Sequence, residues 1–329
     1  MKKIFILYLL AVSATISCIY DVSYEPKEVE DHIIINAQLQ AGSGPHTIYA
    51  GVSKTKTVAH LSQAQIHCYV NGKYVCDAVE DEKHPNMQSP YTFQALLEPG
   101  DMLHIEVESE KGNVFSDAVV PYPNGKVHSI DYSEKGDDIG FTINIEDIGD
   151  GKDYYMLCCR HRYVRKVRIY ISPNSYILRE KSYSESIELA HTDDPILDGA
   201  YLGSANDERD ILGTGIPNIY CIFSDERFTG TNASIKVSIP KEKALSTALD
   251  YEVYLDHDIV TTYHWLDFSI CSISKEEYDY LAAINALKAF NFSSADLLEE
   301  APVVPSNVSG GEGFVSISSC NWKTITITE

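Results

Sequence analysis

No short catalytic pattern occurs in this chain. Gly-x-Ser-x-Gly, His-Glu-x-x-His and the Gly-x-x-x-x-Gly-Lys-Ser/Thr phosphate loop are all missing. That removes the common local signatures of acyl transfer, zinc hydrolysis and nucleotide binding, so a non-catalytic protein is expected. Positive charge is scarce: 26 Lys and Arg stand against 48 acids, for a formal charge of −22. Such a balance excludes nucleic acid as a natural partner and disfavours lying flat on an anionic leaflet. Long apolar runs are few, and the N-terminal one, Ile4 to Val12, covers nine residues, too short to span a bilayer. Cysteine offers no closed framework. Eight are present, and setting aside Cys18 leaves an odd number, so complete pairing is impossible.

The N-terminus itself is informative. Lys2 and Lys3 precede the apolar run, and Ser-Ala-Thr-Ile-Ser-Cys18 follows it. A charged start, a short apolar stretch and small residues before a cysteine read as a lipoprotein signal over 1–17, with lipidation at Cys18. The other reading is an ordinary secretory signal cut after Ala14. Residues 18–31, with Pro26 and five acids, read as a solvated tether to that anchor.

From His32 onward the chain beats like strands. Apolar and polar residues alternate over 32–122, with turn signals about every ten residues, which predicts an immunoglobulin-like antiparallel β-sandwich. Pro121-Tyr-Pro123 and Asn124-Gly125 mark a boundary. Residues 123–329 predict a larger antiparallel β-sandwich or partly open barrel with one helix over 275–290. Ser274 and Glu277 have the spacing of a capping box, and Leu281, Ile284 and Leu287 form the predicted docking stripe. Cys68 and Cys76 flank Asn71-Gly72; a two-residue loop would turn their sulfurs to opposite faces, and a three-residue loop would return them to one face only diagonally. Free, mostly buried thiols are therefore expected.

Metal and ligand candidates are sparse. Asp147, Asp150, Gly151 and Asp153 suggest a calcium loop, but Cys158 stands where an EF-hand needs its last Glu. Asp256-His257-Asp258 and His191, Asp193 and Asp194 lack further ligands nearby. No metal and no cofactor is expected. Gly310-Gly-Glu-Gly313 reads as a bend needing positive φ or close strand approach. The compositional anomaly is Arg160-His-Arg-Tyr-Val-Arg-Lys-Val-Arg168. On a strand, Arg160 and Arg162 share one face with Val164 and Lys166, while His161, Tyr163 and Arg165 share the other. Arg160, Arg162, Arg165 and Arg168 are candidates for binding an anionic ligand or partner; otherwise their charges offset neighbouring acids. Tyrosine, 22 residues against two Trp, favours binding over catalysis.

The order of these pieces resembles a known family. A β-domain after a lipoprotein signal, then Phe223-Ser-Asp-Glu-Arg-Phe-Thr-Gly230, the helix, and Ser306-Asn-Val-Ser-Gly-Gly-Glu-Gly-Phe314 are similar to domain of unknown function 4249. The resemblance implies a Bacteroidota outer-membrane lipoprotein encoded near a TonB-dependent outer-membrane transporter, facing either the cell surface or the periplasm. The expected function is an accessory ligand-capture partner of that transporter, with a structural or adhesive module binding proteins or glycans as the alternative.

Overall fold

The computed structural model describes residues 31–54, 57–61, 63–81, 89–173, 175–190, 194–197, 218–246, 259–289 and 302–327. Residues 1–30, including Cys18 and all of the tether but Asp31, lie outside them, as do His191, Asp193 and Asp256–Asp258. The first half supplies β1 (His32–Gln40), β2 (Gly42–Ser43), β3 (His46–Lys54), β4 (Thr57–His60), β5 (Gln65–Val70), β6 (Lys73–Asp77), β7 (Val79–Glu80), β8 (Ser89–Phe93), β9 (Leu96–Leu97), β10 (Met102–Ser109) and β11 (Gly112–Val119). The second supplies β12 (Gly125–Lys135), β13 (Asp138–Asp147), β14 (Tyr154–Ser172), β15 (Ser175–Ile187), β16 (Ile222–Ser224), β17 (Asn232–Pro240), β18 (Ile259–Ile273), β19 (Val308–Ser309) and β20 (Glu312–Ile327). Among the described residues two helices join them, α1 (Lys241–Ala244) and α2 (Lys275–Ala289). The chain is mainly β, as expected, and no closed barrel forms among the described residues.

The largest sheet has ten strands, in the order β15-β14-β18-β20-β1-β3-β8-β7, with β16 beside β14 and β4 beside β3. A five-stranded sheet, β19-β11-β10-β5-β6, packs against its first-half end. Ile33, Ile35, Ala37 and Leu39 alternate inward from β1 and share a core with Leu103, Ile105 and Val107 of β10, the period-2 burial of a strand with one face covered. A three-stranded sheet, β12-β13-β17, encloses a second core, where Phe141 lies 5.0 Å from Phe268, ring centre to ring centre.

Strand β20 belongs to both cores. Its first part runs parallel to β1, from Ile34 opposite Glu312 to Gln40 opposite Ser318. Its second part runs antiparallel to β18, from Ser272 opposite Ser319 to His264 opposite Ile327. The expected segments 32–122 and 123–329 therefore share their last strand, because Val308, Val315 and Ile317 complete the core of the first. The Gly-rich bend makes this approach possible. Gly310 and Gly313 have φ of 80° and 113°, and a Cβ on Gly311 or Gly313 would strike the β1 backbone at Ile33 or Ile35.

The cysteines depart from expectation in two places. Cys271 of β18 and Cys320 of β20 sit opposite each other, Cα atoms 4.1 Å apart, and are disulfide-bonded. Cys68 and Cys76 are also in register. Asn71-Gly72 is a two-residue loop, but an irregularity between Cys68 and Tyr69 shifts the pairing by one residue and sets Cys68 opposite Cys76. Both remain thiols, as do Cys158, Cys159 and Cys221; burial, with the neighbouring Cys76 and Asp77 adding to it, pushes the Cys68 thiol up to about 12.

Helix α2 lies where expected, yet its buried stripe is different. Glu277, Leu281 and Asn285 are buried, while Ile284 and Leu287 are only half-buried. Four-residue steps advance the helical wheel by about 40° and three-residue steps set it back by about 60°, so the two series diverge quickly. Partners select the first: Glu277 accepts the Ser316 hydroxyl at 2.9 Å, and Asn285 accepts the Ile219 N–H and donates to the Asn218 side chain. Only half of the capping box forms, the Glu277 N–H reaching the Ser274 hydroxyl at 3.1 Å.

Candidate functional site

The basic stretch is a continuous strand, as the sequence predicts, and its alternation places the arginines. His161 and Tyr163 are buried on the core side; Arg160 and Arg162 point outward with Val164 and Lys166. Arg168 is on the outward side too, its guanidinium 5.1 Å from the Tyr176 ring centre. Arg165 faces the other way. The four arginines thus do not form one patch: the period of two divides them three to one.

Registers with β18 and β20 build the rest of the outer face. Arg162 is opposite Trp265, Arg160 opposite Asp267, and Val164 opposite Tyr263. Trp265 and Asp267 in turn face Thr326 and Thr324, and Ser269 faces Trp322. Both tryptophans of the chain therefore stand on this one surface, half-buried, with Tyr263 exposed beside them. The Arg160 guanidinium lies 4.4 Å from the Trp322 ring centre, Arg162 lies 5.7 Å from Trp265, and Lys166 lies 5.7 Å from Tyr263. Such contacts orient long cationic side chains across flat aromatic surfaces.

Asp267 anchors the arrangement. Its side chain is 1% exposed and takes Arg162 through Nε at 2.5 Å and Nη2 at 2.9 Å, Arg160 through Nε at 3.2 Å, and the Thr324 hydroxyl at 2.6 Å. Burial favours the neutral acid, but Arg162, Thr324 and Arg160 together hold the carboxyl below its usual range. Lys166 pairs with Glu180 at 2.7 Å. Charge offset by neighbouring acids, the second sequence reading, thus describes Arg160, Arg162 and Lys166, while their outer edges stay open to solvent. The sequence overlooked Trp265, Trp322, Tyr263 and Asp267. Alternation in Tyr263-His-Trp-Leu-Asp267 was the available signal, since it turns Tyr, Trp and Asp to one side.

Helix α2 crosses the same side of the ten-stranded sheet, with Tyr280 stacked on Phe314 at 4.3 Å. Beyond it lies an open cavity of 590 Å³ whose walls include Asn36, Gln38, Gln40, Tyr49, Tyr280 and Phe314. Other sequence candidates are elsewhere. Asp194 is buried and accepts the backbone N–H groups of Ile196, Leu197 and Lys236, a structural use. Asp150 is exposed, whereas Asp147 and Asp153 come together. No described helix is long and apolar enough to cross a membrane.

Comparison with known proteins places the chain. The family described as Domain of unknown function (DUF4249) matches residues 19–324. The chain belongs to this family. Solved structures with some likeness to this DUF4249 chain include a DUF4785 family protein from Legionella pneumophila, 8% identical over 72% of the chain and 52% of that protein, with a TM-score of 0.21. The DUF4249 chain therefore spans about half the length of the Legionella protein. A Bacteroides uniformis protein provisionally described as carbohydrate-binding is 11% identical over 74% of the chain and 90% of its own, TM-score 0.18. A DUF3823 family protein from Bacteroides ovatus is 8% identical over 72% and 90%, TM-score 0.15. None of these scores bears on what the DUF4249 chain binds. A search of curated proteins gives no match.

Proposed function

We propose that this protein is a non-catalytic cell-envelope lipoprotein, anchored to the outer membrane through Cys18, that serves as an accessory ligand-capture partner of a TonB-dependent transporter. One observation carries the binding part of this reading. On a chain of formal charge −22, the outer face of β14, β18 and β20 gathers both tryptophans, Tyr263, Arg160, Arg162 and Lys166. Trp, Tyr and Arg are the residues that dominate protein interfaces, because each combines large contact area with a polar edge. The anchor rests on the Lys2-Lys3, apolar run and Cys18 order; the transporter rests on the family resemblance.

The alternative, a structural or adhesive module, draws on the hairpin of β14 and β15. Tyr170, Ile171, Tyr176, Ile177 and Leu178 are all 48–67% exposed near its tip, an apolar projection suited to gripping another surface. Affinity purification from detergent-solubilised envelopes separates the two. Capture expects a large β-barrel to co-purify with the wild type and to fall at least about tenfold with Trp265→Ala and Trp322→Ala combined, since hot-spot truncations cost upward of about 2 kcal/mol. Recovery of no barrel, or equal recovery with both proteins, overturns the capture reading.

A further inference from the structure

The stretch Phe223 to Gly230 takes no part in the outer face. Leaving β16, it brings Asp225 beside Asp147, at the end of β13, and Asp153, just before β14. One carboxylate oxygen from each of the three lies within 4.8 Å of the other two. Asp225 is 0% exposed. One of its oxygens accepts the Asp153 N–H at 2.9 Å; the other is buried with no hydrogen-bond partner. A buried carboxylate oxygen left unpaired is costly, and three clustered negative charges raise that cost. The described cations next to it in sequence are engaged elsewhere: Lys152 pairs with Glu226, and Arg227 donates to the Pro195 carbonyl.

The surroundings hold the carboxylates in place without neutralising them. Asp147 accepts the Tyr155 hydroxyl at 2.6 Å, the Gly230 N–H at 2.6 Å and the Gly149 N–H at 3.3 Å. The Asn124 amide donates to both oxygens of Asp153 at 3.1 Å. A Cβ on Gly149 would collide with the Asp153 carboxylate, and Gly230 has φ of 66°, so both glycines permit the close approach. Burial first, then the neighbouring charges of Asp147, Asp225 and Asp150, lifts the Asp153 carboxyl above its ordinary value despite the Asn124 bond.

We propose that Asp147, Asp153 and Asp225 bind a calcium ion. The donors are all oxygen, which suits a hard cation, and among the described residues no His or Cys joins them to favour zinc or copper. They come from a strand end and two adjoining connections, and calcium accepts irregular carboxylate geometry with water filling the remaining positions, where magnesium demands a near-ideal octahedron. The ion would tie the end of β13, the start of β14 and the loop after β16 into one joint of the second core. The EF-hand spacing missed it because Asp153 and Asp225 are 72 positions apart.

The full chain, stripped with chelator, is melted with CaCl2 or MgCl2 and titrated with terbium, whose luminescence Tyr155 would sensitise. The expected result is a rise of about 4 °C once calcium exceeds its dissociation constant about a hundredfold, with calcium displacing the terbium signal. Asp225→Asn should lose both responses, and Asp150→Asn should keep both. Should Asp225→Asn not fold, the wild-type titration decides: no terbium signal, or one that calcium does not displace, overturns the site. A response equal in Asp225→Asn and Asp150→Asn overturns it as well, and a response to magnesium alone overturns the assignment to calcium.

Discussion

Replacing Glu277 with glutamine probes the docking of α2 directly. The Glu277 carboxyl faces the sheet, where one oxygen accepts the Ser316 hydroxyl and the other has no partner. Burial outweighs that hydrogen bond and raises its pKa from 4.5 to about 7. An acid with a raised folded pKa favours folding while it is protonated. Its contribution is complete below about pH 4.5 and is lost as the pH climbs through about 7, where the folded state must carry a buried charge. The displacement of about 2.5 pH units corresponds to roughly 3 kcal/mol at 1.36 kcal/mol per unit. Glutamine keeps the shape and an acceptor but cannot ionise. Urea unfolding of both proteins between about pH 4.5 and pH 8 should therefore show the variant gaining on the wild type by about 3 kcal/mol across that range. Other carboxylates titrate in both proteins and cancel in the difference. Curves that stay parallel to within about 0.5 kcal/mol would refute a charged, buried Glu277 as a pH-dependent load on the fold.

Three further outcomes are expected. Asp267→Asn should cost about 2 kcal/mol in urea unfolding, less than a fully buried pair because both guanidiniums are over a third exposed; the loss should vanish as pH falls through the lowered Asp267 pKa, and an unchanged midpoint at neutral pH would count against the anchor role. Leu281→Asp should destabilise by about 3–5 kcal/mol and Ile284→Asp by about 1, since only Leu281 lies in the buried stripe; equal melting temperatures would contradict the 277–281–285 docking face. Cys18→Ser should abolish acylation and shift the protein to the soluble fraction, and persistent palmitate labelling with membrane sedimentation would refute the anchor.

Local periodicity made part of this molecule legible. The alternation from Arg160 to Arg168 put His161 and Tyr163 on one face and Arg160 and Arg162 on the other, because a strand has two faces and no third choice; which face is buried emerges only from the packed sheet. The helix bounds followed from Ser274 and the run of helix formers after it. The docking stripe did not, because Glu277 and Asn285 look like surface residues until Ser316 and Asn218 are seen to meet them. Long-range pairings left no trace either. Cys271 and Cys320 meet through the β18–β20 register, and nothing local announces that the first strand will lie parallel to the last. Asp225 stands in the sequence only as part of the family stretch Phe223 to Gly230, since the carboxylates it joins are distant along the chain.

The sharing of β20 has a consequence for the order in which the chain can mature. As the polypeptide leaves the ribosome or a translocation pore, β1 emerges before the other described strands and its neighbour β20 after them. Until then β1 presents an unpaired edge beside Ile33, Ile35 and Leu39, an invitation to pairing with other chains. Neither hydrophobic core can close before the final strand arrives, so contacts of very long sequence separation govern the rate. The nascent chain must therefore be shielded until β20 has been made, and loss of β20 as a whole would open both halves at once.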